Sequence, residues 1–144
     1  MAEKTESALA CYFTVEIDSI QSGRFFRCEG LEAETYVYEV EEGGLNTGTH
    51  KFYGRTRFPN LVLDRGVDES NALYEWYKET VLEDAEVTRK DGSVIMYNAA
   101  GEELKRWNFF RAIPCRWVGP KLGTDARGIA LERIEIAHEG LEIG

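Results

Sequence analysis

"RWNFFRAIPCRW", Arg106–Trp117, brings two tryptophans, two phenylalanines and three arginines into twelve residues. Basic residues interleaved with aromatics are what a surface for single-stranded nucleic acid needs, because bases stack on rings while arginines neutralise phosphates. Sorting the stretch by alternation separates the two chemistries. Trp107, Phe109, Ile113, Cys115 and Trp117 share one face, broken only by Arg111. Arg106, Asn108, Phe110, Ala112, Pro114 and Arg116 share the other. A stacking platform puts rings and cations on the same exposed face, whereas a half-buried strand turns large rings inward and charges outward. The pattern predicts a core strand, with Trp107, Phe109 and Trp117 in the interior and Arg111 paired to a carboxylate.

The rest of the chain supports a β reading. "CYFTVEIDSI" sets Phe13, Val15 and Ile17 against Thr14, Glu16 and Asp18. "ETYVYEVEE" alternates Tyr36, Tyr38 and Val40 with Thr35, Val37 and Glu39. "FPNLVLDRG" is a further strand, with Pro59 near its start where a missing N–H is tolerated. Strands are expected at Ala85–Lys90, Ser93–Asn98 and Glu103–Phe110, then up to Val118 and over Ile129–Glu139. Asp91-Gly92 is read as a tight hairpin turn and "NAAGE" as a second turn. From Ile129 the alternation slips between Leu131 and Ile134, the signature of a bulge or of a strand buried on both faces. The exception to period two is "DESNALYEWYKETVL". Asp68 or Ser70 can cap it, and Leu73, Trp76, Tyr77 and Val81 fall at helical spacing. One helix is predicted near 69–82, covering an open end of a two-sheet sandwich or barrel-like fold. "EEGGLNTGTH" and "GPKLGTDARG" read as long loops.

Composition narrows the function. The 144 residues suit one domain over 1–144, with a core large enough to need no metal or disulfide. Seventeen Lys+Arg against 26 Asp+Glu leave a formal charge of −9, which repels phosphate at long range. No apolar run is long enough for a membrane helix. "MAEKTESALACYF" lacks the order of a secretory signal, which places folding in the cytoplasm. Cys11, Cys28 and Cys115 form no CxxC pair and are read as small buried hydrophobes.

No catalytic pattern is found. His138 opens "HEGLE", half of a zinc-protease motif, but Glu142 stands where the second histidine belongs. His50 sits in a glycine-rich loop with no spaced Ser or Cys partner. "GGLNTG" lacks the order of a phosphate cradle and precedes a strand rather than a helix. "EVEE" and "GEE" lack an EF-hand ligand pattern, and there is no GxSxG elbow. Catalytic residues, metal ligands and cofactors are therefore expected to be none.

Four blocks together resemble a known family: "GGLNTGTHKFYGRTRFPNLVLDRGV" (43–67), "LYEWY" (73–77), "RWNFFRAIPCRWVGP" (106–120) and "IALERIEIAHEGLEI" (129–143). Their order and spacing resemble the inner tube, or tail tube, proteins of contractile-tailed phages and of phage-tail-like extracellular injection systems. The resemblance implies a tail-tube fold of two β-sheets with one helix. It implies hexameric rings stacked into a hollow tube inside a contractile sheath, with baseplate and terminator or cap proteins as further partners. Protein effectors or DNA would pass through the lumen as cargo, without sequence-specific nucleic-acid recognition. It also implies that the long loop 42–58 touches the next ring, through Gly43, Gly44, Leu45, Asn46, His50, Lys51, Phe52 and Tyr53. Six copies at −9 each carry −54 per ring, a charge suited to a non-stick channel wall.

Two readings of other classes stand beside this one. A closed barrel with Trp76, Trp107 and Trp117 around its cavity would be a monomeric carrier of one small apolar ligand. A nucleic-acid module would bind oligonucleotides in a salt-sensitive way through Arg106 and Arg116.

Overall fold

A computed structural model describes residues 12–18, 20, 24–41, 48–82, 87–125 and 128–144. In chain order these form β1 (Tyr12–Ile17), β2 (Arg24–Phe25), β3 (Arg27–Glu29), β4 (Glu34–Val40) and β5 (His50–Arg57). There follow β6 (Leu61–Gly66), α1 (Ala72–Tyr77), β7 (Lys90–Tyr97), β8 (Glu103–Val118), β9 (Leu131–Ala137) and β10 (Gly140–Ile143). The chain is mainly β with one short helix, as the alternation implies.

The opening stretch belongs to β8, a 16-residue strand that serves two sheets. Its first half lies between β7 and β10, and β7 leads on to β1 and β2. Its second half pairs with β9, which leads on to β6 and β3. All these pairings are antiparallel. A second corner lies at Phe26, the single residue between β2 and β3, whose N–H donates to the Asp64 carbonyl at 2.8 Å. Strands that switch sheets at a bend are how a sandwich joins its two layers. Because β2 and β3 pair with β1 and β6 but not with each other, the ladder does not run unbroken into a closed barrel. The barrel form of the expectation is corrected accordingly, and the two-sheet form holds.

Between the sheets, Val15, Ile17, Phe25, Val94 and Phe109 meet Leu61, Leu63, Ile134 and Ile136. Leu73 and Trp76 bring α1 onto the same cluster. Burying such side chains stabilises by roughly 1.5–3 kcal/mol each relative to exposure. Phe13, Val15 and Ile17 face inward as the alternation predicts, Phe13 partly buried at the cluster's border.

The alternation of β8 holds only in part. Trp107 packs on the core half-buried and Phe109 is fully buried, yet beyond them Ala112 and Pro114 point inward while Arg111 and Cys115 are exposed. Two irregularities explain the reversal. The pairing with β7 slips between Gly92↔Phe109 and Lys90↔Ala112, and the pairing with β9 slips between Pro114 and Arg116. Each extra residue flips the face, so Trp117 returns to the half-buried side.

Other expectations are corrected as well. Asp91-Gly92 is no turn; it lies inside β7, and residues 87–89 are not in a strand. Glycine is needed there for close approach, since a Cβ would meet Phe109 Cζ at 2.4 Å and the Glu16 carbonyl at 2.6 Å. The other turn is where "NAAGE" puts it: Asn98 Oδ1 accepts from the Ala100 and Glu102 N–H groups at 3.0 and 2.9 Å. The slip after Ile129 is neither a bulge nor two-sided burial. β9 pairs with β6 without interruption, and its inward residues are Glu132, Ile134 and Ile136. The helix begins at Ala72 and turns into a π-helical segment, Lys78–Leu82, which swings Val81 out to solvent. Asn71 stands at its N-cap without a side-chain bond, and Ser70 Oγ accepts from the Ala72 N–H at 3.4 Å. The helix is therefore shorter than 69–82, though Leu73 and Trp76 are buried as expected.

Candidate assembly surface

β4 and β5 form a hairpin of their own, paired with no other strand. Every residue of both strands is exposed. On one face Tyr38 lies opposite Phe52 and Val40 opposite His50. The Tyr38 and Phe52 rings stack at 5.7 Å, and the His50 ring is tilted 6.4 Å from Phe52. Tyr36 continues the row over Gly54, where a Cβ would meet Tyr36 Cδ1 at 2.9 Å. The result is an aromatic face without a carboxylate, Lys or Arg. Thr35 and Thr56 hydroxyls bond at 2.9 Å, and Arg57 sits 3.6 Å from Glu34 near the base. A two-stranded hairpin is marginal in water, and exposed aromatic faces mark contact sites.

Of the expected contact residues, the structure places His50, Lys51, Phe52 and Tyr53 together on β5, with Tyr53 84% exposed. Gly43, Gly44, Leu45 and Asn46 lie outside the described residues. What sequence reasoning missed is that 50–57 is a strand and that Tyr36, Tyr38 and Val40 complete its surface. The signal was the alternation of β4, which by itself does not tell a core face from an exposed one.

The base of the molecule is fastened by buried ions. Arg65 Nε donates to Glu132 Oε1 at 2.5 Å and its Nη2 donates to the Ser70 carbonyl at 3.2 Å. Trp117 Nε1 donates to the other Glu132 oxygen at 3.2 Å, and Tyr74 packs on Trp117 at 4.9 Å. These contacts tie β6, β8 and β9 to the helix. On the other face of β6, Asp64 accepts from Arg133 Nε and Nη2 at 2.8 and 3.2 Å. Its bond to the carboxylate raises the Arg133 pKa. Arg111 pairs with Glu139 as expected, but from an exposed position.

The potential nucleophiles and bases are placed for structure. His138 Nδ1 donates to the Gly140 carbonyl at 2.9 Å, and its ring lies among Phe58 and Phe109 with Nε2 buried. Burial first, then Glu29, pushes the Cys28 thiol up to about 11. Burial first, then Glu135, raises that of Cys115, which is nevertheless exposed and so corrects the expectation of a buried thiol. Cys11 lies outside the described residues. Both thiols are the protonated, unreactive form at neutral pH. Among the described residues no group of three or more His, Cys, Asp or Glu could hold a metal ion, and no helix is long and apolar enough to cross a membrane.

The carrier reading is not supported. The space between the sheets is filled, and Trp76, Trp107 and Trp117 border no common cavity among the grooves of the described residues. The nucleic-acid reading fares no better at its two arginines. Arg106 is held by Glu103 at 2.7 Å with Glu16 at 3.7 Å, and Arg116 lies 3.7 Å from Glu135.

A sandwich whose aromatic hairpin pairs with no other strand among the described residues offers a surface for contact with another chain. Residues 9–142 match the family described as T4-like virus tail tube protein gp19, and the chain belongs to that family. No curated protein matches it. Among solved structures, a chain of the PVC sheath–tube complex, an extracellular contractile injection system in its extended state, superposes with a TM-score of 0.83. It is 23% identical, over 97% of this chain and 93% of that one. A chain in the tube-terminating cap of the anti-feeding prophage gives 0.76 at 25% identity, over 100% and 99%. Hcp1 from Flavobacterium johnsoniae gives 0.60 at 14% identity, over 92% and 94%.

Proposed function

We propose that this chain is the repeating subunit of the inner tube of a contractile injection particle. Six copies close into a ring, rings stack into a hollow tube, and a contractile sheath drives that tube into a target envelope. Cargo, protein or DNA, travels in the lumen. A baseplate and a terminating cap bound the tube, and the assembled particle acts outside the cell that makes it. The role requires no catalytic residue and no cofactor.

The observation that carries this reading is the β4–β5 hairpin, with an aromatic face that the chain itself leaves uncovered. Open sheet borders point the same way: β10 pairs with β8 on one side only, and unpaired strand edges are completed by neighbouring chains. Family membership and the likeness to chains of sheath–tube and cap assemblies support the same role. Electron microscopy of the purified, concentrated protein and of the native particle tests it. Rings or tubes with this chain as the wall are expected; a monodisperse monomer in both preparations would overturn the reading.

A further inference from the structure

His138 stands between β9 and β10 and is buried. Its Nδ1 donates to the Gly140 carbonyl, while Nε2 is buried without a hydrogen-bond partner. Two rings flank the imidazole, Phe109 of β8 at 6.2 Å and Phe58 at 5.7 Å between centroids. Phe58 is the residue that follows β5. It is half-buried whereas every residue of β5 is exposed, so it is where the returning limb of the hairpin first seats on the body. The outgoing limb leaves against the same segment, since a Cβ on Gly30 would meet the Asn60 carbonyl oxygen at 2.0 Å. The hairpin root is thus a narrow joint with His138 beside it. Charged residues on the surrounding elements are engaged elsewhere or exposed. Arg111 of β8 pairs with Glu139, which Arg89 also reaches at 3.5 Å. Arg57 of β5 lies 3.6 Å from Glu34, Glu135 of β9 lies 3.7 Å from Arg116, and Glu142 of β10 is exposed. None of these pairs includes His138.

We propose that His138 is an acid-released clasp at the root of the β4–β5 hairpin. The neutral imidazole spends its one N–H on Gly140 and turns a bare ring nitrogen to apolar surroundings. In acid, Nε2 takes a second proton and becomes a charged donor with no acceptor. An unpaired buried charge is costly, and cation–π contact with the two rings returns less than that burial costs. The protonated ring therefore leaves its place, Phe58 loses its seat, and the β9–β10 turn opens. A group that takes its proton only in the opened form favours opening as the pH falls below the ordinary imidazole value of about 6.5. The clasp belongs to the single chain. On the tube-subunit reading, and resting on it, the clasp makes the arm offered to other copies sensitive to the acidity of the medium.

The test measures amide hydrogen exchange on the dilute, dispersed full chain, with circular dichroism to verify that each variant is folded. The reporter is the Glu139 N–H, which donates to the Phe110 carbonyl at 2.9 Å. An imidazole protonated only when the clasp is open raises the opening equilibrium about tenfold between about pH 7.5 and about pH 5.5. Glu139 exchange, corrected for the intrinsic rate, is expected to speed by that factor in the wild type. His138→Gln keeps a donor for Gly140 but takes no proton, and Phe58→Ala lets water reach Nε2; each should shrink the step to about twofold or less. His50→Gln, which changes the other histidine, exposed on β5, should keep the full step. No step in the wild type, or a full step in His138→Gln, overturns the clasp. So does Glu139 exchange as slow as that of the core amides of β7 at both pH values, because opening would then be unfolding of the whole chain. Should His138→Gln not fold, the wild-type step and its loss in Phe58→Ala decide. A chain that passes these tests yet forms no tubes when concentrated overturns the tube-subunit reading and leaves the clasp standing.

Discussion

Arg111 carries a φ of 53°, the only positive φ among the described residues that are not glycine. The left-handed region costs an L-residue roughly 1–2 kcal/mol. Local contacts offset that cost: its N–H donates to Asp91 Oδ1 at 2.9 Å, its guanidinium pairs with Glu139, and Arg89 Nη1 donates to its carbonyl at 3.3 Å. The residue thereby supplies the bend at which β8 passes from one sheet to the other. Arg111→Ala removes the ion pair but keeps the backbone cost, whereas Arg111→Gly removes both. The glycine variant should consequently be about 1 kcal/mol more stable than the alanine variant in urea unfolding. Equal midpoints would show that the bend is not strained. In the sequence, Trp107 and Phe109 were legible as core because alternation is a local property. The reversal at Arg111 was not, since nothing in an arginine announces a left-handed backbone. Glu132 is a similar case. It breaks the apolar alternation of β9 because Arg65, 67 residues away, makes a buried carboxylate tolerable.

The β4–β5 hairpin and β8 sit at opposite ends of a stability scale. β8 is paired along both halves and anchored by Phe109 in the core. Among the described residues the hairpin pairs with no other strand, and both its faces are exposed to water. Segments with few buried apolar contacts open at low free energy. Hydrogen exchange should therefore be fast for the amides of β4 and β5 in the isolated subunit and at least about a hundredfold slower in tubes. β8 and β9 should be slow in both states. Hairpin amides already protected in the monomer would count against its role as an assembly arm. At this scale β1, β6, β9 and the helix were readable, because their alternation or helical spacing is set by a core. β5 was read as loop, since its glycine-containing stretch has no buried face to impose a pattern. Gly54 is there to admit the Tyr36 ring and signals no turn.

For the whole molecule the governing quantity is charge. On the proposed tube-subunit role, a formal −9 per chain becomes −54 for six copies, a self-repulsion that apolar contacts between copies would have to overcome. Salt shortens the Debye length from about 10 Å at 0.1 M to about 3 Å at 1 M, while apolar burial is little affected. Sedimentation should show tube formation by the purified protein increasing between about 0.05 and 0.5 M NaCl. A steady decrease over that range would mean that ion pairs, more than apolar burial, hold the copies together.

By itself the amino-acid order determined a predominantly β chain with one helix, expected near 69–82, and inward rings at Trp107 and Phe109. These follow from neighbours within a few residues, where side-chain period and turn chemistry act directly. Tertiary structure alone decided the two corners, the partners of Arg65 and Arg111, the slips in the pairing of β8, and which aromatic strands stay in solvent. Those depend on where segments tens of residues apart come to lie, because the free energy of a buried ion pair or an uncovered ring is set by the surroundings that shield it from water.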